Sequence, residues 1–201
     1  MRRPDLVTMP EGLGLDRPVR AFVSLPCPAD LRGSIARKIA EWRELGADVA
    51  WVDAATSHLT LRFFGNADPG RLDRFTARLG DVARSADPVE ARPGSTGAFP
   101  GWGRPRVLWL AVESGGAIER LAEAVEVSSR EAGFDPEDRR FTPHLTLGRV
   151  RGPRGTRRVA SAVRAWKAEG AYEAIREIVL YKSELAAGGA RHTALARYPI
   201  G

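Results

Sequence analysis

Cysteine, histidine and methionine are scarce in this chain: one, three and two residues respectively among 201. The single thiol, Cys27, excludes an internal disulfide and fits a reducing cytoplasm. Flanked by Pro26 and Pro28, with no histidine close by in sequence, it reads as a structural residue rather than a nucleophile. No apolar run approaches the roughly 20 residues needed to cross a bilayer, so no membrane partner is expected. The start, Met1-Arg2-Arg3-Pro4-Asp5, is followed by no continuous apolar stretch and does not read as a secretory leader. Zinc is also disfavoured, because no His-x-x-x-His and no cysteine or carboxylate ligand set accompanies the histidines.

What remains is an ordinary globular composition, with 43% hydrophobic and 28% charged residues, enough for one buried core or two lobes sharing one. Lys and Arg outnumber Asp and Glu by 31 to 25. That balance favours polyanionic partners only weakly. Residues 1–18 carry prolines and glycines without periodicity and read as a flexible arm. From residue 19 to 201 the chain reads as one unit. Residues 19–25 have strand composition and stop at Pro26. Leu31, Ile35, Ile39 and Trp42 recur at helical spacing, with Asp30 as a possible cap and Gly46 as the stop. Strands follow at 49–52 and 59–64, then a second helix carrying Leu72, Phe75 and Leu79, started near Asp68-Pro69.

The second half repeats this grammar. A dense apolar strand at 107–112 leads to a helix with Ile118, Leu121 and Val125 on one face, ended by Gly133. A strand at 141–150 follows, then a basic, glycine-rich loop at 151–158 and a short helix at 159–167. Late strands at 175–181 and 194–200 must return to one of the sheets. Mixed order, with helices beside antiparallel sheets, predicts an α+β fold with two pseudo-symmetric lobes and a cleft between them.

Two of the three histidines open the same tetrapeptide, His58-Leu59-Thr60-Leu61 and His144-Leu145-Thr146-Leu147. Residue frequencies put such a coincidence at roughly one in a thousand. One copy lies in each half, as an internal duplication requires. On a strand, His and Thr at i and i+2 share a face while the leucines take the other. Converging lobes would bring two imidazoles and two hydroxyls to one cleft. That set suits phosphodiester cleavage: one neutral imidazole takes a proton from water, one imidazolium gives a proton to the departing oxygen, and the threonines donate to phosphate oxygens. No cofactor or metal is expected.

These segments resemble the paired His-x-Thr motifs of the two-histidine phosphoesterases. More narrowly, the chain resembles the bacterial and archaeal RNA 2′,3′-cyclic phosphodiesterases, formerly named 2′-5′ RNA ligases. Residues 20–26, 58–65, 97–100, 105–109 and 140–149 carry the likeness. It implies a bilobal α+β fold and hydrolysis of an RNA-terminal 2′,3′-cyclic phosphate to a 2′-phosphate. By carry-over, His58 is the general acid for the 3′ oxygen, His144 the general base, and Thr60 and Thr146 hold the phosphate; near-symmetry leaves the two histidine roles exchangeable. Arg149 matches an arginine near the phosphate, although simple alternation turns it away from His144 unless Gly148 or the strand end redirects it. His192 lacks the Thr-Leu of the motifs and reads as structural or as a rim residue.

Other candidates stay open. Arg62 shares parity with His58 and Thr60, so it reaches either phosphate or solvent. Phe22 is a stacking surface for a nucleobase or a core residue. Arg151, Arg154, Arg157 and Arg158 form a solvated loop or touch RNA, and Trp102 and Trp109 read as packing residues. Two rival functions also remain: 2′-5′ ligation by the reverse reaction, and a non-catalytic module that binds RNA ends. A cytoplasmic monomer acting on RNA, without a protein partner, is expected.

Overall fold

A computed structural model describes residues 12–170, 173–186 and 189–201. The chain runs β1 (Val19–Pro26), α1 (Ala29–Arg43), β2 (Val49–Trp51), a single 3-10 turn (Ala54–Thr56), β3 (His58–Ala67), α2 (Pro69–Ser85), β4 (Val89–Phe99) and β5 (Val107–Glu113). It continues through α3 (Ala117–Glu131), β6 (His144–Val150), α4 (Thr156–Ala165), β7 (Glu173–Ile175), β8 (Glu177–Ala186) and β9 (Gly189–Pro199). The Asp68 carboxylate accepts the N–H of Arg71 ahead of Pro69, which begins α2. Asp30 does not cap α1. The Glu173 carboxylate, far along the chain, instead accepts the N–H groups of both Ala29 and Asp30, at 3.1 and 3.2 Å.

The strands form two antiparallel sheets, ordered β3-β1-β8-β9 and β2-β6-β5-β4-β7. The expected α+β architecture of two sheets with flanking helices is therefore observed. The lobes are not simply the two halves of the chain, however. β2 leaves the first half to pair with β6, while β8 and β9 return to complete the first sheet. The sequence pattern does not predict β4, because Pro93 and Gly94 interrupt it; the pairing survives by shifting register between Pro93 and Thr96.

The leucines of each repeated tetrapeptide face the helices: Leu59, Leu61, Leu145 and Leu147 are all buried. α1 packs on α4 and α2 on α3. Two aromatic clusters join the lobes. Trp42 of α1 lies 5.6 Å from Trp51 of β2 and 5.4 Å from Trp166 beyond α4. Phe64 of β3 meets Phe75 of α2 and Phe134 after α3, at 4.7 and 4.6 Å. Leu13 and Leu15 also lean on the core, and the Leu13 N–H donates to Asp73 at 2.7 Å. No described helix is long and apolar enough to cross a membrane.

Candidate active site

His58 and His144 each occupy the first position of their strand, half-buried on the face opposite the leucines. β3 is the edge strand of the first sheet and packs alongside β6 of the second. β2 is short: it pairs with Gly148–Val150, and the Val52 N–H just beyond it donates to the Leu147 carbonyl at 3.0 Å.

The two rings are held identically. His58 Nδ1 bonds the Thr56 carbonyl at 2.9 Å, and His144 Nδ1 bonds the Thr142 carbonyl at 2.7 Å. A carbonyl only accepts, so Nδ1 carries hydrogen in both rings and Nε2 is left to exchange a proton. The repeat thus extends two residues upstream of each tetrapeptide. Threonine stands at both positions, a signal visible in the sequence but unread, because the main-chain oxygen and not the side chain makes the contact.

Each histidine also has an aromatic backing. Phe22 stacks on His58 at 4.7 Å between ring centres, and Tyr181 lies 6.1 Å away. His144 meets Phe99 edge-on at 5.2 Å, with Trp109 at 6.0 Å. Trp109 lies flat over Gly97, where even a methyl group would come within 2.0 Å of the indole. Burial pushes the pKa of both histidines below the ordinary value; the carbonyl bonds oppose this, while His192 beside His58 and Arg149 beside His144 add to it.

Matching bulges decide the remaining residues. In β3 the pairing skips a residue between Thr60, opposite Ser24, and Arg62, opposite Val23. In β6 it skips between Thr146, opposite Trp109, and Gly148, opposite Leu108. The extra residue, Leu61 or Leu147, reverses the alternation that follows. Arg149 is thereby turned onto the histidine face and stays exposed. Arg62 is turned the other way, which corrects the expectation that it shares the face of His58. It is 7% exposed, pairs with Glu126 of α3 at 2.9 Å and Glu137 at 3.3 Å, and donates to the Asp135 carbonyl. The Glu126 contact is a charge pairing without an aligned hydrogen bond, since Glu126 Oε2 has no hydrogen-bond partner. Arg62 is therefore a strut between lobes, not a phosphate ligand.

Phe22 is likewise corrected. At 2% exposure, packed against His58 and Tyr181, it presents no surface on which a nucleobase could stack. Thr60 and Thr146 remain half-exposed beside their histidines, and neither hydroxyl has a protein partner among the described residues. His192, from distant β9, arrives 5.3 Å from His58 and 4.9 Å from Phe22, each edge-on. No local pattern could have placed it there. Cys27 is buried, which pushes its thiol up to about 12 and keeps it unreactive at neutral pH. Among the described residues, no three or more His, Cys, Asp or Glu side chains group as metal ligands would.

Two side-by-side lobes, each presenting one His-x-Thr strand with its imidazole anchored through Nδ1, define a two-histidine phosphoesterase. The sequence profile of the 2′-5′ RNA ligase superfamily matches residues 31–185, and the chain belongs to that superfamily. It is 32% identical over 176 residues to an RNA 2′,3′-cyclic phosphodiesterase of Methanothermobacter thermautotrophicus, covering 87% of this chain and 95% of that protein. A protein of the same name from Bacillus subtilis is 30% identical, over 64% of this chain and 69% of its own. Among solved structures, TT0787 of Thermus thermophilus superposes with a TM-score of 0.76 at 27% identity, covering 90% of this chain and 97% of that one. LigT of E. coli, solved in complex with 3′-AMP, gives 0.71 at 26% identity, over 92% and 99%.

Proposed function

We propose that this protein hydrolyses the 2′,3′-cyclic phosphate at the end of an RNA to a 2′-phosphate. The reading rests on one observation above the others: two imidazoles with their Nδ1 atoms committed to carbonyls, each leaving Nε2 for proton exchange. His144 takes a proton from water as its oxygen attacks phosphorus. The bond from phosphorus to O3′ breaks, and His58 gives its proton to that oxygen, leaving a 3′-hydroxyl and a 2′-phosphomonoester. Thr60 and Thr146 donate hydrogen bonds to the non-bridging oxygens, and Arg149 offsets their charge. Near-symmetry permits the two histidines to exchange roles. Both come from one chain, so a monomer suffices, and the single cysteine fits work in the cytoplasm.

The names of the relatives support hydrolysis over ligation, as does the abundance of water relative to 5′-hydroxyl ends. The test is incubation with a cyclic-ended RNA in EDTA, with the product phosphate mapped. A 2′-phosphate is expected, and His58→Ala or His144→Ala should each lower the rate at least about a hundredfold. Substantial activity in either variant would refute the acid-base roles. Salt-sensitive binding without product would identify a mere RNA-end binder.

A further inference from the structure

Beyond the ends of β5 and β6 lies a cavity of about 830 Å³ whose lining includes Arg104, Arg106, Arg151, Arg157 and Arg164 and no carboxylate. None of the five forms an ion pair with a described residue, whereas Arg62, Arg78, Arg84, Arg92 and Arg197 all do. Like charges gathered in one concavity repel one another and concentrate anions from solution. The Arg164 guanidinium lies 5.9 Å over the ring of Trp102, so an aromatic surface joins the cationic one. Trp102 therefore does more than pack.

The same geometry sorts the basic run at 151–158. Arg151 and Arg157 line the cavity. Arg154 does not, and Arg158 turns away to donate to the Leu45 carbonyl.

The position of the cavity says what it would hold. β6 begins at His144 and ends at Val150, which itself lines the cavity; at about 3.3 Å per residue that is a span of roughly 20 Å. Arg149, turned onto the histidine face by the bulge, stands next to last on this path. We infer that the cavity is a second site on the enzyme, binding the phosphodiester backbone of the substrate RNA upstream of its cyclic end. Planar guanidinium groups suit phosphate oxygens, and the exposed side of Trp102 suits an unpaired base. An RNA strand with its end between the histidines would leave along β6, past Arg149, and turn into the cavity at Arg151. This rests on the reading of the protein as an RNA cyclic phosphodiesterase.

The experiment compares a 2′,3′-cyclic mononucleotide with an oligoribonucleotide of about ten residues bearing the same end, for the wild type and for Arg104→Ser/Arg157→Ser/Arg164→Ser. The expected result is a fall of at least about tenfold in kcat/KM for the oligonucleotide only. The slope of its log kcat/KM against log salt should flatten by about 2, near 0.7 per lost contact. The mononucleotide should stay within about twofold. Equal effects on both substrates in a variant with an unchanged melting curve would overturn the inference, as would no effect on either.

Should the triple variant not fold, the wild type decides. A salt-dependent preference for the longer substrate supports the site, and equal, salt-insensitive use of both refutes it. Failure of the wild type to hydrolyse the mononucleotide and the oligonucleotide alike would sink the proposed activity itself. Hydrolysis of both without any length preference would sink only the second site.

Discussion

Replacing Arg62 by Met separates the role suggested by position in sequence from the role the fold assigns. The guanidinium is 7% exposed, with Glu126 and Glu137, 27% and 46% exposed, as its carboxylate partners. Removing one member of a fully buried pair costs about 3–5 kcal/mol. Here the more exposed Glu137 can recover water, but Glu126 Oε2 is itself buried and the Asp135 carbonyl loses a donor, so we expect about 3 kcal/mol. For a chain of this size that lowers Tm by roughly 5–10 °C. Urea unfolding, followed through the tryptophans, measures the loss. A double-mutant cycle with Glu126→Gln should return a coupling of about 1 kcal/mol or more. At 25 °C, with the variant still folded, kcat/KM on a cyclic mononucleotide should stay within about threefold of wild type. A hundredfold loss of kcat/KM with an unchanged unfolding midpoint would put Arg62 back at the phosphate and refute the bulge argument.

Three further outcomes follow from the site. Burial lowers both imidazoles, so the acid-base roles proposed for them require a bell-shaped profile of kcat/KM, which reports the free enzyme, centred on the acid side of 6.5; a rate flat from neutrality to pH 9 would contradict this. The same depression links to stability: the unfolded chain takes up these protons at a higher pH than the folded one, so the contribution is complete above about pH 6.5 and is lost as pH falls through the folded values. A His58→Asn/His144→Asn variant should therefore lose less stability than wild type between pH 7 and pH 5, and an equal loss would argue against buried imidazoles. Finally, Gly97→Ala puts a methyl group 2.0 Å from the Trp109 ring; displacement of that ring should cost about 1–3 kcal/mol and, through His144, at least about tenfold in activity, whereas an unaffected variant would mean the indole does not lie there.

The histidine strands were legible because their chemistry is local: two rare residues, each followed by Leu-Thr-Leu, declare both the active face and the buried one. α2 announced itself equally well through Asp68-Pro69 and its apolar spacing. Alternation failed where register slipped. The extra Leu61 and Leu147 look like any other leucines, yet they reversed the side chains that follow, turning Arg62 inward and Arg149 toward the site. Phe22 could not be told apart as backing or as stacking surface without its neighbours. The strand at β2 was legible but its partner was not, and neither were the contacts of Glu173 with α1 or of His192 with His58, because each joins residues roughly a hundred or more apart in the chain.

The crossing of β2 into the far sheet bears on how the molecule can be divided. A gene cut between α2 and β4 would yield a first fragment whose β2 has lost the strand it hydrogen-bonds, and whose own sheet lacks β8 and β9. The second fragment would hold those two strands with nothing to border them. Each His-x-Thr strand therefore sits in a sheet that strands from the other half of the chain complete.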